Sequence, residues 1–202
     1  MGLIIKNSDF LTAAVKPKGY PPVGPPEIAF AGRSNVGKSS LINCVLRRKR
    51  LVRVSSKPGR TQEINFFAIN QDQFRLVDLP GYGFAKVPRS VKMGWRRMVE
   101  SYLSAREPLA CVVLILDIRR EPTEEDFMLL DYLAAQHLTT VIVVTKADKL
   151  SNNKRNARLA KLRPVLGKYD PDFMPVSAVN GMGREKLLDR LGMLAGLNEE
   201  LS

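Results

Sequence analysis

The chain is poor in residue types that mark several classes of protein. Its 202 residues include two cysteines, Cys44 and Cys111, one histidine and one tryptophan. The cysteines have neither a CxxC partner nor a metal-ligand spacing, so we expect buried, reduced thiols in a cytosolic protein. No apolar run reaches the ~18 residues of a membrane span, and the run in MGLIIKNSDF is too short for a signal peptide. A disulfide scaffold, a zinc domain and a membrane protein are therefore disfavoured.

Acidic residues are also few compared with basic ones. There are 20 Asp+Glu against 32 Lys+Arg, which gives a formal net charge of +12. The basic residues cluster at 47–60, 86–97 and 149–163, and the first cluster has seven basic residues and no acid. This excess favours an anionic partner, and we expect ribosomal RNA phosphates, bound by charge and shape because no RNA-reading motif is present. A solvated charged face or an anionic membrane surface remains the alternative.

The order of predicted elements indicates an α/β fold. Residues 1–26 end in KPKGYPPVGPPE, whose five prolines exclude a helix or central strand, so we expect an extended arm. From 27 to 196 strands alternate with helices, which predicts one domain with a mostly parallel six-stranded sheet and helices on both faces. The pair EINFFAIN and QFRLVDLP is too close for a helical crossover, which makes one edge strand antiparallel. Residues 197–202 form a tail.

Two helical segments carry specific expectations. In SVKMGWRRMVESYLSARE one face is apolar, so its tryptophan is expected in the core rather than in a stacking role; the residues of that face are Trp95, Met98, Val99, Tyr102 and Leu103. In the basic segment NNKRNARLAKLRPVLGKY, Pro164 is expected to interrupt or kink the helix.

A glycine-containing loop lies between a predicted strand and a predicted helix in FAGRSNVGKSSLIN, residues 30–43. Its residues Gly32–Ser39 fit the phosphate-binding pattern GxxxxGK[ST]. Glycines let backbone N–H groups approach a triphosphate, and the helix N-terminus adds the positive end of a dipole. Lys38 is expected to reach the β- and γ-phosphates, and the Ser39 hydroxyl to bind Mg²⁺. The loop alone does not distinguish ATP from GTP.

Three later motifs each follow a predicted strand, at the edge where α/β sheets bind ligands. In DLPG, Asp78 would hold Mg²⁺ through water and the Gly81 N–H would contact the γ-phosphate. In TKAD, the Asp148 carboxylate can accept two hydrogen bonds from guanine, which adenine cannot supply, while the Lys146 stem would lie along the base. In SAV, residues 177–179, a backbone N–H would reach the guanine O6. These motifs predict GTP as the nucleotide.

These four motifs and a fifth, Thr61 in PGRTQ between the phosphate-binding loop and DLPG, resemble in their order over about residues 27–195 those of the translation-factor-related GTPases. KPGRTQEINFF and DLPGYGFAKVP are similar to the signature of the EngB (YihA/YsxC) family of bacterial GTP-binding proteins, within the TrmE-Era-EngA-YihA-Septin-like P-loop GTPases. The resemblance implies a P-loop GTPase fold and a role in assembly of the large ribosomal subunit. It also implies a need for the protein in normal cell division and septation. Thr145 replaces the usual Asn of other GTPases, as it does in this family.

The resemblance also suggests how GTP would be hydrolysed. Thr61 matches the switch threonine that closes on Mg²⁺ and the γ-phosphate, within a polar stretch at 51–63 expected to order with GTP. Tyr82 stands where small GTPases have a water-orienting glutamine, so intrinsic hydrolysis is expected to be slow. Asn35 matches an asparagine that helps bind K⁺ beside the phosphates in related GTPases. Its alternative role is a turn-forming residue.

The candidate site follows from these motifs. The candidate catalytic residues are Lys38, Thr61, Gly81 and Asn35. The candidate metal ligands are Ser39, Thr61 and Asp78, the last through water. The candidate nucleotide-binding residues are Gly32, Arg33, Ser34, Asn35, Val36, Gly37, Lys38, Ser39, Ser40, Gly59, Arg60, Thr61, Gln62, Glu63, Asp78, Leu79, Pro80, Gly81, Thr145, Lys146, Ala147, Asp148, Ser177, Ala178 and Val179.

Two main functional hypotheses remain from the sequence. The first is a monomeric, cytoplasmic GTP switch that binds the large ribosomal subunit or its precursor, through rRNA and ribosomal proteins, and hydrolyses GTP slowly without a partner. The second is a nucleotide-gated RNA-binding module in which hydrolysis matters little. An ATP-using P-loop enzyme is disfavoured by TKAD and SAV.

Overall fold

The computed structural model describes residues 3–48, 51, 63–83 and 89–197. The candidate residues 59–62, and with them Thr61, lie outside the described residues, as does most of the first basic cluster. Within the described part, no helix is long and apolar enough to cross a bilayer.

Strands and helices alternate along most of the chain. The strands are β1 (Ser8–Ala14), β2 (Glu27–Gly32), β3 (Ile64–Ile69), β4 (Phe74–Asp78), β5 (Leu109–Asp117), β6 (Thr140–Thr145) and β7 (Met174–Pro175). The α-helices are α1 (Lys38–Val45), α2 (Arg89–Ala105), α3 (Glu124–Ala135), α4 (Asn152–Leu166) and α5 (Arg184–Leu194). Short 3₁₀ turns lie at Pro17–Gly19 and Ala147–Lys149.

The strands form one sheet in the order β1-β3-β4-β2-β5-β6-β7. Strands β4, β2, β5, β6 and β7 are parallel, whereas β3 is antiparallel to both β4 and β1. The predicted α/β class and the antiparallel hairpin are confirmed. Within the described ranges the sheet has seven strands rather than six, because β1 pairs with β3 and takes the edge position expected for β3.

Strand β1 lies in the segment that the sequence predicted as an arm. Residues 8–14 pair with 64–69, with a register shift between Phe10 and Thr12. The prolines begin only at Pro17, so they do not exclude a strand before it. The stretch SDFLTAA lacks a clear alternation of apolar and polar residues, and this edge strand exposes Phe10 and Leu11. The division of the chain at residues 26 and 196 stays a prediction.

Helices cover both faces of the sheet, as parallel strands require. One apolar layer holds side chains of α1 and α5 against the sheet, including Leu41, Ile42 and Leu188. The other layer holds side chains of α2, α3 and α4, including Tyr102 and Leu133. The central strand β2 is buried along its whole length, and this leaves only its ends accessible to ligands.

The expectations for the helices are met in one case and wrong in part in the other. Met98, Val99, Tyr102 and Leu103 are buried on the inner face of α2, as predicted. α4 continues through Pro164 to Leu166, so the predicted interruption at this proline is wrong, while the alternative, a kink, stays a prediction. Pro164 lies in the last turn of α4 on its exposed side, where the missing N–H costs one hydrogen bond and no further turns follow.

A charged cluster closes the opposite end of β2. The fully buried Glu27 accepts hydrogen bonds from the Tyr102 hydroxyl at 2.9 Å and from Arg106 Nε at 3.0 Å. Arg106 and Arg75 also donate to the carbonyls of Pro21 and Pro22, at 3.0 and 2.6 Å. Prolines have no N–H to donate, so these arginines fix the proline-rich segment to the sheet through its carbonyl groups.

Candidate nucleotide-binding site

Most of the candidate residues that the structure describes gather at the carboxyl ends of the parallel strands. Strand β2 lies between β4 and β5. The chain continues from β2 to β3 and β4 on one side, and then crosses over to β5 on the other side. This reversal creates the crevice in which open α/β sheets bind ligands. The phosphate-binding loop, DLPG, TKAD and SAV all lie at this edge of the sheet.

The loop at residues 32–39 needs its glycines for two different reasons. Gly37 has φ +104°, in the left-handed region that side chains avoid, and directly precedes α1. A Cβ on Gly32 would lie 2.9 Å from the Ile115 carbonyl oxygen, so only glycine lets β2 approach β5 there. The first intrahelical hydrogen bond of α1 runs from Leu41 N–H to the Gly37 carbonyl at 2.8 Å. The N–H groups of residues 38–40 precede that bond, and the N-terminus of a helix is a place where such groups can bind an anion.

Lys38 and Asp78 bring opposite charges together at this edge. The Lys38 ammonium contacts Asp78 Oδ1, and the side chains of both residues are largely buried. Ser39 follows in the first turn of α1. A carboxylate and a hydroxyl are hard oxygen donors, and Mg²⁺ is typically held by few protein ligands together with phosphates and water. The donor set therefore fits magnesium bound together with a nucleotide.

The segment after β4 continues along the phosphate-binding loop. The Leu79 N–H donates to the Phe30 carbonyl at 3.0 Å, and the Ser34 N–H donates to the Tyr82 carbonyl at 2.8 Å. Gly81 lies against the loop, since a Cβ built on it would be 3.5 Å from both Gly32 O and Ser34 N. Backbone hydrogen bonds thus join DLPG to β2, and the following Tyr82 to the phosphate-binding loop.

The side chain of Tyr82 is turned into the protein. It is 6% exposed, and its hydroxyl donates to Asp126 Oδ1 at 2.7 Å. Asp126 Oδ2 accepts from the backbone N–H and the hydroxyl of Thr123, which completes a capping box at the start of α3. Burial, followed by the Asp126 charge, raises the pKa of Tyr82 well above its usual value. Tyr82 therefore joins DLPG to α3 and cannot orient water from this position.

Trp95 braces the same segment from α2. Its Nε1–H donates to the Pro80 carbonyl at 2.8 Å, and its ring centroid lies 5.4 Å from that of Tyr82. Trp95 is half-buried rather than fully buried, so the expected packing role is joined by a hydrogen bond to DLPG.

TKAD is tied to the phosphate-binding loop at consecutive residues. The Thr145 hydroxyl lies 2.5 Å from the Val36 carbonyl oxygen and 3.0 Å from that of Leu116. The Lys146 ammonium donates to the Asn35 carbonyl at 2.7 Å and pairs with Asp117 at 3.0 Å. The threonine that replaces the usual asparagine thus joins β6 to the loop.

Asp148 and Ser177 meet next to these residues. The Ser177 hydroxyl donates to Asp148 Oδ1 at 2.7 Å. This hydrogen bond, with a smaller contribution from Lys149, lowers the pKa of the Asp148 carboxyl group. The carboxylate therefore stays ionised and can accept hydrogen bonds from N–H groups of a base. The N–H groups of Ser177 and Val179 bond to Met182 O and Ser177 Oγ, which among the SAV residues leaves the Ala178 N–H for a ligand.

Asn35 has the backbone geometry of a turn residue. Its φ is +66°, and its side chain is exposed. Asparagine tolerates this conformation better than most residues, so the turn role is satisfied. The side chain remains accessible for the K⁺ role, which stays a prediction.

Both cysteines are free thiols, as expected, but only one of them is fully buried. Cys111 is buried, and burial raises its pKa to about 12. Cys44 is only half-buried.

Sequence reasoning missed two acidic residues that organise the site. Asp117 ends β5 and contacts Lys146 and Arg119, although it belongs to none of the motifs. Asp126 lies in the first turn of α3 and holds Tyr82. The position of Asp117 at the end of an apolar strand was an available signal; no local pattern indicated the partner of Asp126.

The Tyr82–Asp126 contact predicts a difference between two tyrosines. Tyr82→Phe leaves the buried Asp126 carboxylate short of one donor, so it should lower the free energy of unfolding by about 1–3 kcal/mol. Tyr169→Phe removes a similar Tyr–Asp hydrogen bond at an exposed position, to Asp131, and should cost less than about 1 kcal/mol. Urea denaturation of both variants tests this. Equal losses would contradict the assigned role of the buried contact.

Comparison with known proteins assigns the fold and site to one family. Residues 27–146 match the profile of the 50S ribosome-binding GTPase family. The chain is 51% identical over 196 residues to the probable GTP-binding protein EngB of Geobacter metallireducens, and the match covers 97% of this chain and 96% of the relative. It is 53% identical over 187 residues to its counterpart in Syntrophotalea carbinolica, covering 93% and 90%.

A solved structure gives the same assignment. The crystal structure of a probable GTP-binding protein EngB superposes with a TM-score of 0.66 at 29% identity, covering 84% of this chain and 98% of that one. The sequence identity is near one half over almost the full length of the relatives. It indicates the same family as the four motifs that meet at one edge of the sheet. The chain belongs to the EngB family of GTP-binding proteins, which are P-loop GTPases.

Proposed function

We propose that this GTPase is a nucleotide switch in assembly of the large ribosomal subunit. The observation that carries the nucleotide part is the meeting of Lys38, Asp78, Lys146 and Asp148 at one sheet edge, tied together through the phosphate-binding loop. The ribosomal part is supported by the family profile, described as 50S ribosome-binding, and by the net charge of +12. A need for the protein in normal cell division and septation follows from the family resemblance.

Each described motif would bind a different part of GTP. The N–H groups of the loop and of the first turn of α1 would hold the phosphates, with Lys38 at the β- and γ-phosphates. Asp148 would accept two hydrogen bonds from guanine, with Ser177 fixing its carboxylate. Lys146 would lie along the base, and the Ala178 N–H would reach O6. The remaining motif residues assigned from the sequence would line these contacts.

Mg²⁺ would be held by Ser39 directly and by Asp78 through water, with Thr61 joining in the GTP state. The ion supplies positive charge that neutralises the β- and γ-phosphate oxygens. Lys38 adds a second positive charge, and the Gly81 N–H donates to the γ-phosphate. Asp78 contacts Lys38, so the same carboxylate would position the cationic side chain and help to hold the ion.

Slow hydrolysis without a partner follows from the position of Tyr82. A glutamine in this place would orient water, but the Tyr82 side chain is buried against Asp126 and Trp95. The second hypothesis, a nucleotide-gated RNA-binding module, is favoured by the same observation. We place the switch first because Lys38 and Gly81, which would contact the γ-phosphate, lie at the same edge as Asp78, which would hold Mg²⁺ through water.

The partner surface would be basic and the compartment cytoplasmic. Exposed lysines and arginines on α4, which contains no acid, suit RNA phosphates, with Lys154, Lys161 and Arg163 all exposed. The basic cluster at 47–60 overlaps the switch stretch in sequence. A surface that changes with the bound nucleotide would let GTP control the affinity for RNA. A monomer and two free thiols fit such a cytoplasmic factor.

Asp148→Asn should exchange guanine for xanthine. The amide can accept from one base N–H but cannot accept from the exocyclic amine of guanine, whereas it can donate to the extra carbonyl of xanthine. We expect GDP binding to weaken about 100-fold or more, since two hydrogen bonds to a charged group are affected. Titration with GDP and XDP measures this, with Asp189→Asn on the exposed side of α5 as control. Unchanged GDP preference would remove Asp148 from the base site.

The K⁺ role of Asn35 predicts a dependence on the monovalent cation. With large ribosomal subunits present, GTP hydrolysis should be about tenfold or more faster in KCl than in NaCl, because the ion adds charge at the transition state. Asn35→Gly keeps the backbone at φ +66° accessible while it removes the side chain. It should abolish the difference. A K⁺ effect that survives in Asn35→Gly, or equal rates in both salts, would leave Asn35 as a turn residue only.

Sedimentation with purified large ribosomal subunits tests the switch. Binding should be stronger with a non-hydrolysable GTP analogue than with GDP or without nucleotide, and should weaken steeply with salt. The Lys38→Ala variant is the control, since it should lose the difference between nucleotides. Binding that ignores the nucleotide would reject the switch, and absent binding would reject the ribosomal partner.

A further inference from the structure

We propose that Asp117 is a positioning residue for guanine nucleotides, and that it acts by holding the Lys146 side chain in place. The inference rests on the proposed contact between Lys146 and the base. Asp117 itself lies at the end of β5 and belongs to none of the motifs.

The Asp117 carboxylate is fully engaged. Oδ1 accepts from the backbone N–H and from Nε of Arg119, both at 3.0 Å, and Oδ2 accepts from Arg119 Nη2 at 2.7 Å. Oδ2 also pairs with the Lys146 ammonium at 3.0 Å. Burial alone would raise the pKa of this carboxyl group, but the contacts with Arg119 and Lys146 outweigh it and hold the pKa well below its usual value. The negative charge facing Lys146 is therefore permanent.

Lys146 is held at both ends. Its backbone has φ +60° and ψ +31°, a left-handed conformation that a lysine adopts only when its surroundings impose it. Its ammonium lies between the Asp117 carboxylate and the Asn35 carbonyl, at 3.0 and 2.7 Å. With both ends fixed, the aliphatic stem between them has little rotamer freedom, although the side chain remains 28% exposed. A nucleotide that packs on this stem does not have to order it first.

Asp117 is the charged member of this arrangement. The Asn35 carbonyl provides one acceptor for the ammonium, and a single hydrogen bond leaves a long side chain free to rotate. The ion pair with Asp117 adds an electrostatic attraction that fixes the ammonium more firmly. The carboxylate is shielded from water there, since the Asp117 side chain is 2% exposed. Loss of Asp117 would therefore loosen Lys146 while leaving Asp148 and Ser177 as they are.

The test is a double-mutant cycle of Asp117→Asn and Lys146→Ala, read by GDP affinity. Asp117→Asn alone should weaken GDP binding about tenfold, and it should have no further effect in the Lys146→Ala background, because the two residues act as one unit. IDP, whose base lacks the exocyclic amine, should be weakened by the same factor as GDP, since the amine is read by Asp148. Urea denaturation of each variant reports any general loss of stability.

Arg119→Ala is the matched control. It removes the other ion pair of Asp117 from the surface but leaves Lys146 with its carboxylate, so GDP affinity should not change. Should Asp117→Asn fail to fold, Asp117→Glu keeps the charge but displaces it by one methylene, and the same cycle is run with that variant.

The outcomes separate the two proposals. If Asp117→Asn weakens GDP binding equally with and without Lys146, Asp117 acts independently and this inference is wrong, while the base contact of Lys146 stands. If Lys146→Ala leaves GDP affinity unchanged, the proposed base contact itself is wrong and the inference falls with it. A changed GDP-to-IDP ratio in Asp117→Asn would overturn the inference as well, because it would mean that the Asp148 site was disturbed.

Discussion

Hydrogen bonds to the backbone of the phosphate-binding loop are the interactions on which the rest of the site depends. A glycine-containing loop loses much conformational entropy when it is ordered. Here three neighbouring residues of the loop are fixed from two strands: Ser34 by the segment after β4, and Asn35 and Val36 by residues at the end of β6. The loop is thus held in a shape that presents its N–H groups before a phosphate arrives.

The same arrangement explains why charged side chains can lie so close together at one edge. Parallel strands end side by side, so carboxylates from β4 and β5 reach the edge within a buried environment. Each has a cation of its own, Lys38 for Asp78 and Lys146 for Asp117. A buried charge without a partner would be costly. Pairing lets the edge hold negative and positive groups side by side in a buried environment.

The amino ends of the parallel strands, opposite the nucleotide site, anchor the chain instead. There Glu27, Arg75, Arg106 and Tyr102 form a buried network that fixes the proline-rich segment. This segment leads from β1 to the central strand β2, so the network holds the entry to the sheet while the loops at the other edge carry the chemistry. Function and anchoring are thereby separated along the length of one strand.

Much of the fold and site could be predicted from the sequence. Apolar runs such as ACVVLILDI and TTVIVVT predict buried parallel strands, and the GxxxxGK[ST], DLPG and TKAD spacings identify Lys38, Asp78 and Asp148, since these patterns are local. Strand β1 was missed because an exposed edge strand has no strong pattern, and its partner β3 is about 50 residues away.

What only the tertiary structure decided was the set of contacts between distant segments. No spacing predicts that Tyr82 turns inward to Asp126, or that Asp117 holds Lys146. The residue types in the motifs alone determined which ligand groups are available for the nucleotide. Their orientation depends on side chains brought together by sheet order and helix packing, because the contacts that fix them join residues tens of positions apart.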